Sequence, residues 1–108
     1  MYVQTTLNGQ PLPVRTLGED VNYMELAADT LTLRADHTFH EIRWLRTTDK
    51  RSTPPKVQTI SGIFDGTYVD TYYGVLLRYQ AGDLIAGTIT NNELQLSYGG
   101  VTVVFRRG

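Results

Sequence analysis

The sequence predicts an all-β fold, a single antiparallel up-and-down barrel of about eight strands. Three observations carry that expectation. From Leu31 to Arg106, short apolar stretches alternate with polar residues, the period-two pattern of half-buried strands rather than the longer period of helices. Turn signals cut the stretches apart, among them Asp36-His37-Thr38, Ala81-Gly82-Asp83, Asn91-Asn92 and Gly99-Gly100. A meander of such strands must also dispose of its edges, and closure into a barrel does so while wrapping the apolar face inward.

Residues 1 to 20 are expected to hold an N-terminal strand and a plug or loop segment. Leu7 to Pro13 carries two prolines, which cannot donate to a central ladder, so it reads as a fixed segment lying across one end of the sheet. Thr30 to Arg34 forms a strand, and Phe39 opens a longer one reaching about Thr47. Continuing the alternation from Phe39 puts Glu41, Arg43 and Leu45 on the face of Leu31 and Leu33. A bulge near His40 would instead turn Ile42 and Trp44 inward. The two arrangements differ in consequence, because buried charges must pair or meet a polar ligand.

Asp49 to Lys56 is polar with two prolines, the composition of an exposed hairpin tip. Asp65 to Gly74, rich in glycine, tyrosine and aspartate, reads as strand, loop, or one after the other. Beyond it, Val75, Leu77 and Tyr79, then Leu84 to Thr90, then Leu94, Leu96 and Tyr98, then Val101, Val103 and Phe105 mark four more strands. The expected core is Leu31, Leu33, Phe39, Val75, Leu77, Ile85, Ile89, Leu94, Leu96, Val103 and Phe105.

The 108 residues make one domain, residues 1–108, large enough to bury about two-thirds of its unfolded surface without staples. Cysteine is absent, which removes disulfides, thiolate metal sites and cysteine nucleophiles. A net charge of -1 gives no global pull toward nucleic acid or an anionic membrane. No apolar run approaches a membrane-spanning helix, and Met1-Tyr2-Val3-Gln4 lacks the regions of a signal peptide. The chain is expected to be soluble, and either a monomer or a weak homodimer.

No catalytic constellation emerges. Asp36-His37-Thr38-Phe39-His40-Glu41 holds two imidazoles and carboxylates, yet metal sites need three or four ligands of fixed geometry, and a solvated turn explains the cluster better. No Gly-x-Ser-x-Gly elbow surrounds Ser52, Ser61 or Ser97. The glycines of Gly62-Ile63-Phe64-Asp65-Gly66 lead into no helix and precede no lysine, so they are not a phosphate cradle. Arg43, Arg46, Lys50, Arg51 and Lys56 gather five of the ten basic residues in one hairpin beside Trp44, read as a solvated, protective surface rather than an anion site. The residues suited to contacting a ligand are Glu41, Arg43, Trp44, Tyr68, Tyr72, Tyr73 and Tyr79, with Tyr72-Tyr73 placed to lid an open barrel end. No cofactor or metal is expected.

Leu7-Asn8-Gly9-Gln10-Pro11-Leu12-Pro13, Leu31-Thr32-Leu33-Arg34-Ala35-Asp36-His37-Thr38-Phe39, Gly66-Thr67-Tyr68 and Val103-Val104-Phe105-Arg106-Arg107, taken in order, resemble the small bacterial lipocalin-like domains of the calycin type. His37 stands where that group usually has a turn glycine, and Ser61-Gly62-Ile63-Phe64 competes with Asp65-Gly66-Thr67-Tyr68 for its later glycine-aromatic motif. The resemblance covers most of the chain and implies an eight-stranded up-and-down barrel that is exported, as a periplasmic, extracellular or lipid-anchored protein. Two functions follow as expectations. One is non-catalytic binding of a small, largely apolar molecule in the lumen, with at most one charged group oriented by Arg43. The other is a filled barrel acting as a structural or protein-interaction domain through Trp44, Ile42 and the basic hairpin.

Overall fold

The computed structural model describes residues 1–108. The chain forms ten strands and no helix: β1 (Tyr2–Leu7), β2 (Gln10–Pro11), β3 (Val14–Glu19), β4 (Asn22–Leu33), β5 (Thr38–Asp49), β6 (Lys56–Asp70), β7 (Gly74–Tyr79), β8 (Leu84–Thr90), β9 (Glu93–Tyr98) and β10 (Val101–Arg107). Strands β4 to β10 pair antiparallel in chain order, and β1 closes the ring by pairing with both β10 and β4. This is the single up-and-down barrel of eight strands that the alternation predicts, with β2 and β3 as additions.

The additions occupy the seam. β1 meets β4 only through Tyr2 with Leu31 and Val3 with Thr30. The two strands then part. Asn8 and Gly9, at φ of 50° and 80°, turn the chain so that β2 doubles back on β1, and β3 runs along β4 from Asn22 to Leu26. Pro11 therefore sits on a strand paired on one side only, where its missing N–H leaves no ladder bond unmade. The Leu7 to Pro13 segment read as a plug forms the end of β1, the turn and β2, and β3 follows it.

Period-two burial on the ring fills the centre. Leu31, Phe39, Val75, Leu77, Leu94, Leu96, Val103 and Phe105 are buried as expected, and Leu33, Ile85 and Ile89 pack partly buried against them. Tyr2 and Tyr79 join the cluster. The Phe39 ring lies against Tyr79 at 4.8 Å, edge-on, and over Gly66, where a Cβ would stand 2.5 Å from the ring. Glycine is the side chain that lets Phe39 reach the centre.

β5 and β6 pair without a register shift from Thr38–Thr67 to Asp49–Lys56. Ser61 to Phe64 and Asp65 to Asp70 thus lie on one continuous strand, followed by a turn into Gly74. β5 has no bulge at His40, so its alternation runs through and Glu41, Arg43 and Leu45 face inward. The bulge is across the ladder instead, in β4 between Leu26 and Ala28. β4, β5 and β6 outrun the rest of the ring, because β7 pairs only with Gly66 to Asp70 of β6. They extend one end of the barrel into a wing, and the molecule measures 52 × 26 × 25 Å.

Candidate functional site

The β4–β5 ladder sets Leu31 beside Glu41 and Asp29 beside Arg43 on the inner face. Three ionisable side chains therefore converge inside the ring. Arg43 donates through Nε to Asp29 Oδ2 at 3.3 Å and through Nη2 to Glu41 Oε2 at 3.0 Å. The Tyr79 hydroxyl, arriving from β7, donates to Glu41 Oε1 at 2.5 Å. The guanidinium lies 4.6 Å from the centroid of the Phe64 ring, a cation over an aromatic face. Asp29 and Glu41 are each 2 % exposed, while Arg43 keeps contact with the mouth.

Burial sets the protonation of this cluster. Desolvation, then a hydrogen bond and charge repulsion from Glu41, raises the Asp29 carboxyl to about 9. Desolvation pushes Glu41 upward too, but hydrogen bonds from Asp29 and Tyr79 and the charge of Arg43 outweigh it and hold Glu41 below the ordinary carboxylate range. Near neutral pH the cluster is a carboxylic acid, a carboxylate and a guanidinium. Its charges cancel. Burial also raises the phenols of Tyr79 and Tyr98, so both stay neutral donors.

Above this cluster the lumen opens into a cavity of about 340 Å³, walled by Leu7, Met24, Leu26, Leu45, Leu96, Tyr98, Val101 and Val103, with Asp29, Glu41, Arg43 and Tyr79 also on its surface. Ten of its fifteen lining residues are hydrophobic. A wider depression of about 700 Å³ lies near the β7–β8 turn, but only three of its eleven residues are hydrophobic, and Arg34, Asp65, Arg78 and Gln80 make it a solvated cleft. The lumen mouth is the site with an apolar wall and few polar groups.

Of the residues singled out by sequence, Glu41, Arg43 and Tyr79 come together here. Trp44 does not: it lies on the outer face of β5, across from Ser61 and Ala28. Tyr68 is at the far end, its hydroxyl donating to the Arg34 carbonyl at 2.6 Å and its ring 5.1 Å from His37. Tyr72 and Tyr73 stand exposed in the β6–β7 turn and touch each other edge-on at 4.8 Å. The Tyr73 carbonyl accepts the Ile89 N–H, which fixes this turn at the end opposite the lumen mouth. The imidazoles of His37 and His40 each contact a different aspartate, Asp70 at 3.1 Å and Asp65 at 2.6 Å.

Asp29 is the member of the buried charged cluster that the sequence reading omits from the site, along with Tyr98 and the aliphatic wall of the cavity. Its signal is present, since Leu33, Leu31 and Asp29 follow at steps of two along one strand. Searches against protein-family models, curated proteins and solved structures find no match to the chain.

Proposed function

We propose that the barrel is a non-catalytic binding module that takes a small, largely apolar molecule into the lumen mouth. One observation carries the reading: a cavity of about 340 Å³ with a mainly aliphatic wall reaches a buried, charge-compensated polar cluster. That volume falls at the lower end of small-molecule pockets, and apolar walls with a few fixed polar groups are their usual chemistry. The mouth at one end of an eight-stranded ring also supports a lipocalin-like, calycin-type reading and, with it, an exported protein.

The cluster narrows the ligand. Arg43 already faces both Asp29 and Glu41, so a carboxylate-bearing ligand would meet the Glu41 charge as well as the guanidinium. A neutral ligand ending in a hydroxyl, carbonyl or amide suits the cluster better, because it exchanges hydrogen bonds without adding a buried charge.

The test is an environment-sensitive hydrophobic dye. It should bind the folded protein saturably and be displaced by neutral apolar compounds. Leu45→Trp, which adds bulk to the wall, should abolish binding without unfolding the barrel. Dye binding that appears only on unfolding would remove the carrier reading. An interaction domain is then the alternative, favoured by the pairing of Ile42 with Ile63 on the outer face, where Ile63 is 62 % exposed.

A further inference from the structure

The wing leaves one long strand edge open. β6 has β5 on one side from Lys56 to Phe64 and no strand on the other, because the pairing of β6 with β7 begins only at Gly66, opposite Tyr79. Outside the ladders, no backbone hydrogen bond involves any residue from Lys56 to Phe64. The edge is also apolar. Val57, Ile60, Ile63 and Phe64 are all exposed, at 55 %, 51 %, 62 % and 37 %.

An exposed, regular, apolar edge is what soluble β proteins usually blunt. The opposite edge of the wing, β3, is blunted: its pairing shifts between Arg15 and Leu17, and Gly18 has a φ of 110°. β6 carries no such device. Its twelve pairs with β5 run unbroken, and Lys56 is its one charged residue before Asp65.

The direction of the free groups follows from the backbone. The N–H and C=O of a strand residue point to the same side and alternate along the chain in an antiparallel ladder. The Asp65 carbonyl points to the β7 side, where it accepts the Gln80 N–H at 3.0 Å. Val57, Thr59, Ser61 and Ile63 therefore turn their N–H and C=O groups to the open side. Pro54 and Pro55, which have no N–H, precede that stretch, and Gln80 occupies Asp65 just beyond it.

We infer that this edge pairs antiparallel with β6 of a second copy of the chain, about a two-fold axis through Ile60. One register uses all four free residues and no others: Val57 opposite Ile63, and Thr59 opposite Ser61, each set occurring twice. Every such pair exchanges two hydrogen bonds. Ile60 then meets its own counterpart at a position without hydrogen bonds, where side chains approach most closely. Lys56 falls opposite Phe64, a cation beside a ring.

Val57 meets Ile63 on one face and Ile60 meets Ile60 on the other, and no like charges face each other. The Val57 and Ile63 pairs also extend the outer apolar surface of Ile42. The occupant is a second copy rather than a foreign strand because the β6 sequence is its own complement in this register.

Sedimentation equilibrium of the full chain over a concentration series reads the association. A reversible dimer is expected. Ile60→Lys, which sets two ammonium groups face to face, should raise the dissociation constant at least about tenfold while leaving the melting temperature of the exposed position's barrel unchanged. Thr59→Pro removes an N–H that only the partner uses and should act likewise. Ile60→Cys, in a chain with no other cysteine, should form an intermolecular disulfide under mild oxidation, whereas Ser61→Cys should not.

Three outcomes overturn the inference. One is a chain that stays monomeric at millimolar concentration. Another is a dimer unaffected by Ile60→Lys with no cross-link at position 60. The third is a monomer whose β6 edge pairs only with added peptides of other sequence.

Discussion

Burial holds the Asp29 carboxyl protonated up to about pH 9, and that gives the barrel a pH dependence of definite sign. In the unfolded chain the same group titrates near 4. Between those values the folded state binds the extra proton, so this group's contribution is complete at the acid end and is lost as pH rises toward 9. The slope is at most about 1.4 kcal/mol per pH unit. Glu41 shifts the other way, and its contribution varies only below its ordinary range.

Asp29→Asn keeps the shape and a donor toward Glu41 but has no proton to lose. Thermal melts should show the variant matching the parent near pH 5 and exceeding it near pH 9. A parent whose melting temperature does not fall between pH 5 and 9 would contradict the protonated Asp29. Tyr79→Phe removes the buried hydroxyl that donates to Glu41 and should cost about 1.5–3 kcal/mol, the range for a hydrogen bond to a charged group. At this scale the sequence was half legible. Alternation from Phe39 placed Glu41 and Arg43 inward, but a bulge in either strand of the ladder produces the same hydrophobic pattern on β5, and only the paired register shows that it lies in β4.

Strands specify themselves where one face is buried. Leu94, Leu96, Val103 and Phe105 alternate with polar residues, are buried at 0 % to 4 % exposure, and were readable because a one-residue slip would turn the whole set to solvent. Leu96→Ala should therefore cost about 2–5 kcal/mol in denaturant unfolding. A cost below about 0.5 kcal/mol, typical of a surface change, would remove Leu96 from the core. Where neither face is buried the signal fades. The first half of β6 is exposed on both sides, so its composition follows no period-two rule, and beyond it Asp65 to Gly74 reads equally as strand or loop, because the strand ends at Asp70 inside that stretch. β2 and β3 were hidden for a different reason: each is a short hairpin arm, β2 folding back on β1 and β3 on β4, and almost every residue in them is exposed, so neither carries a buried face to mark it. β1 supplies the closing strand of the ring. Deleting residues 1 to 13 should leave the β10 edge unpaired, open the ring at β4 and abolish the cooperative thermal transition, whereas a free tail would be lost without effect.

The closed ring decides what the molecule offers to a ligand. Its closed half is filled by Leu31, Phe39, Leu77, Leu94 and Phe105, so only the half toward the wing is open, and the polar cluster divides the two. In the proposed binding, a ligand entering the mouth buries apolar surface along the wall and ends at groups whose charges already cancel. Affinity then comes from the wall, and selectivity from the cost of adding a charge beside Glu41. A pair of compounds with one alkyl chain and different ends, a long-chain alcohol and the matching fatty acid, separates these terms. By mass action, a ligand at one hundred times its Kd stabilises the folded state by about 2.7 kcal/mol. For a domain of this size each kcal/mol raises Tm by roughly 4 °C or more. The alcohol should produce a shift of that order at neutral pH, and the ionised acid at equal concentration a smaller one. Glu41→Gln removes the opposing charge and should reverse the order in favour of the acid, provided the variant's own melt is still cooperative. If the acid shifts Tm more than the alcohol in the parent chain, Arg43 is available to ligand charge and the cluster is not the neutral floor its contacts describe.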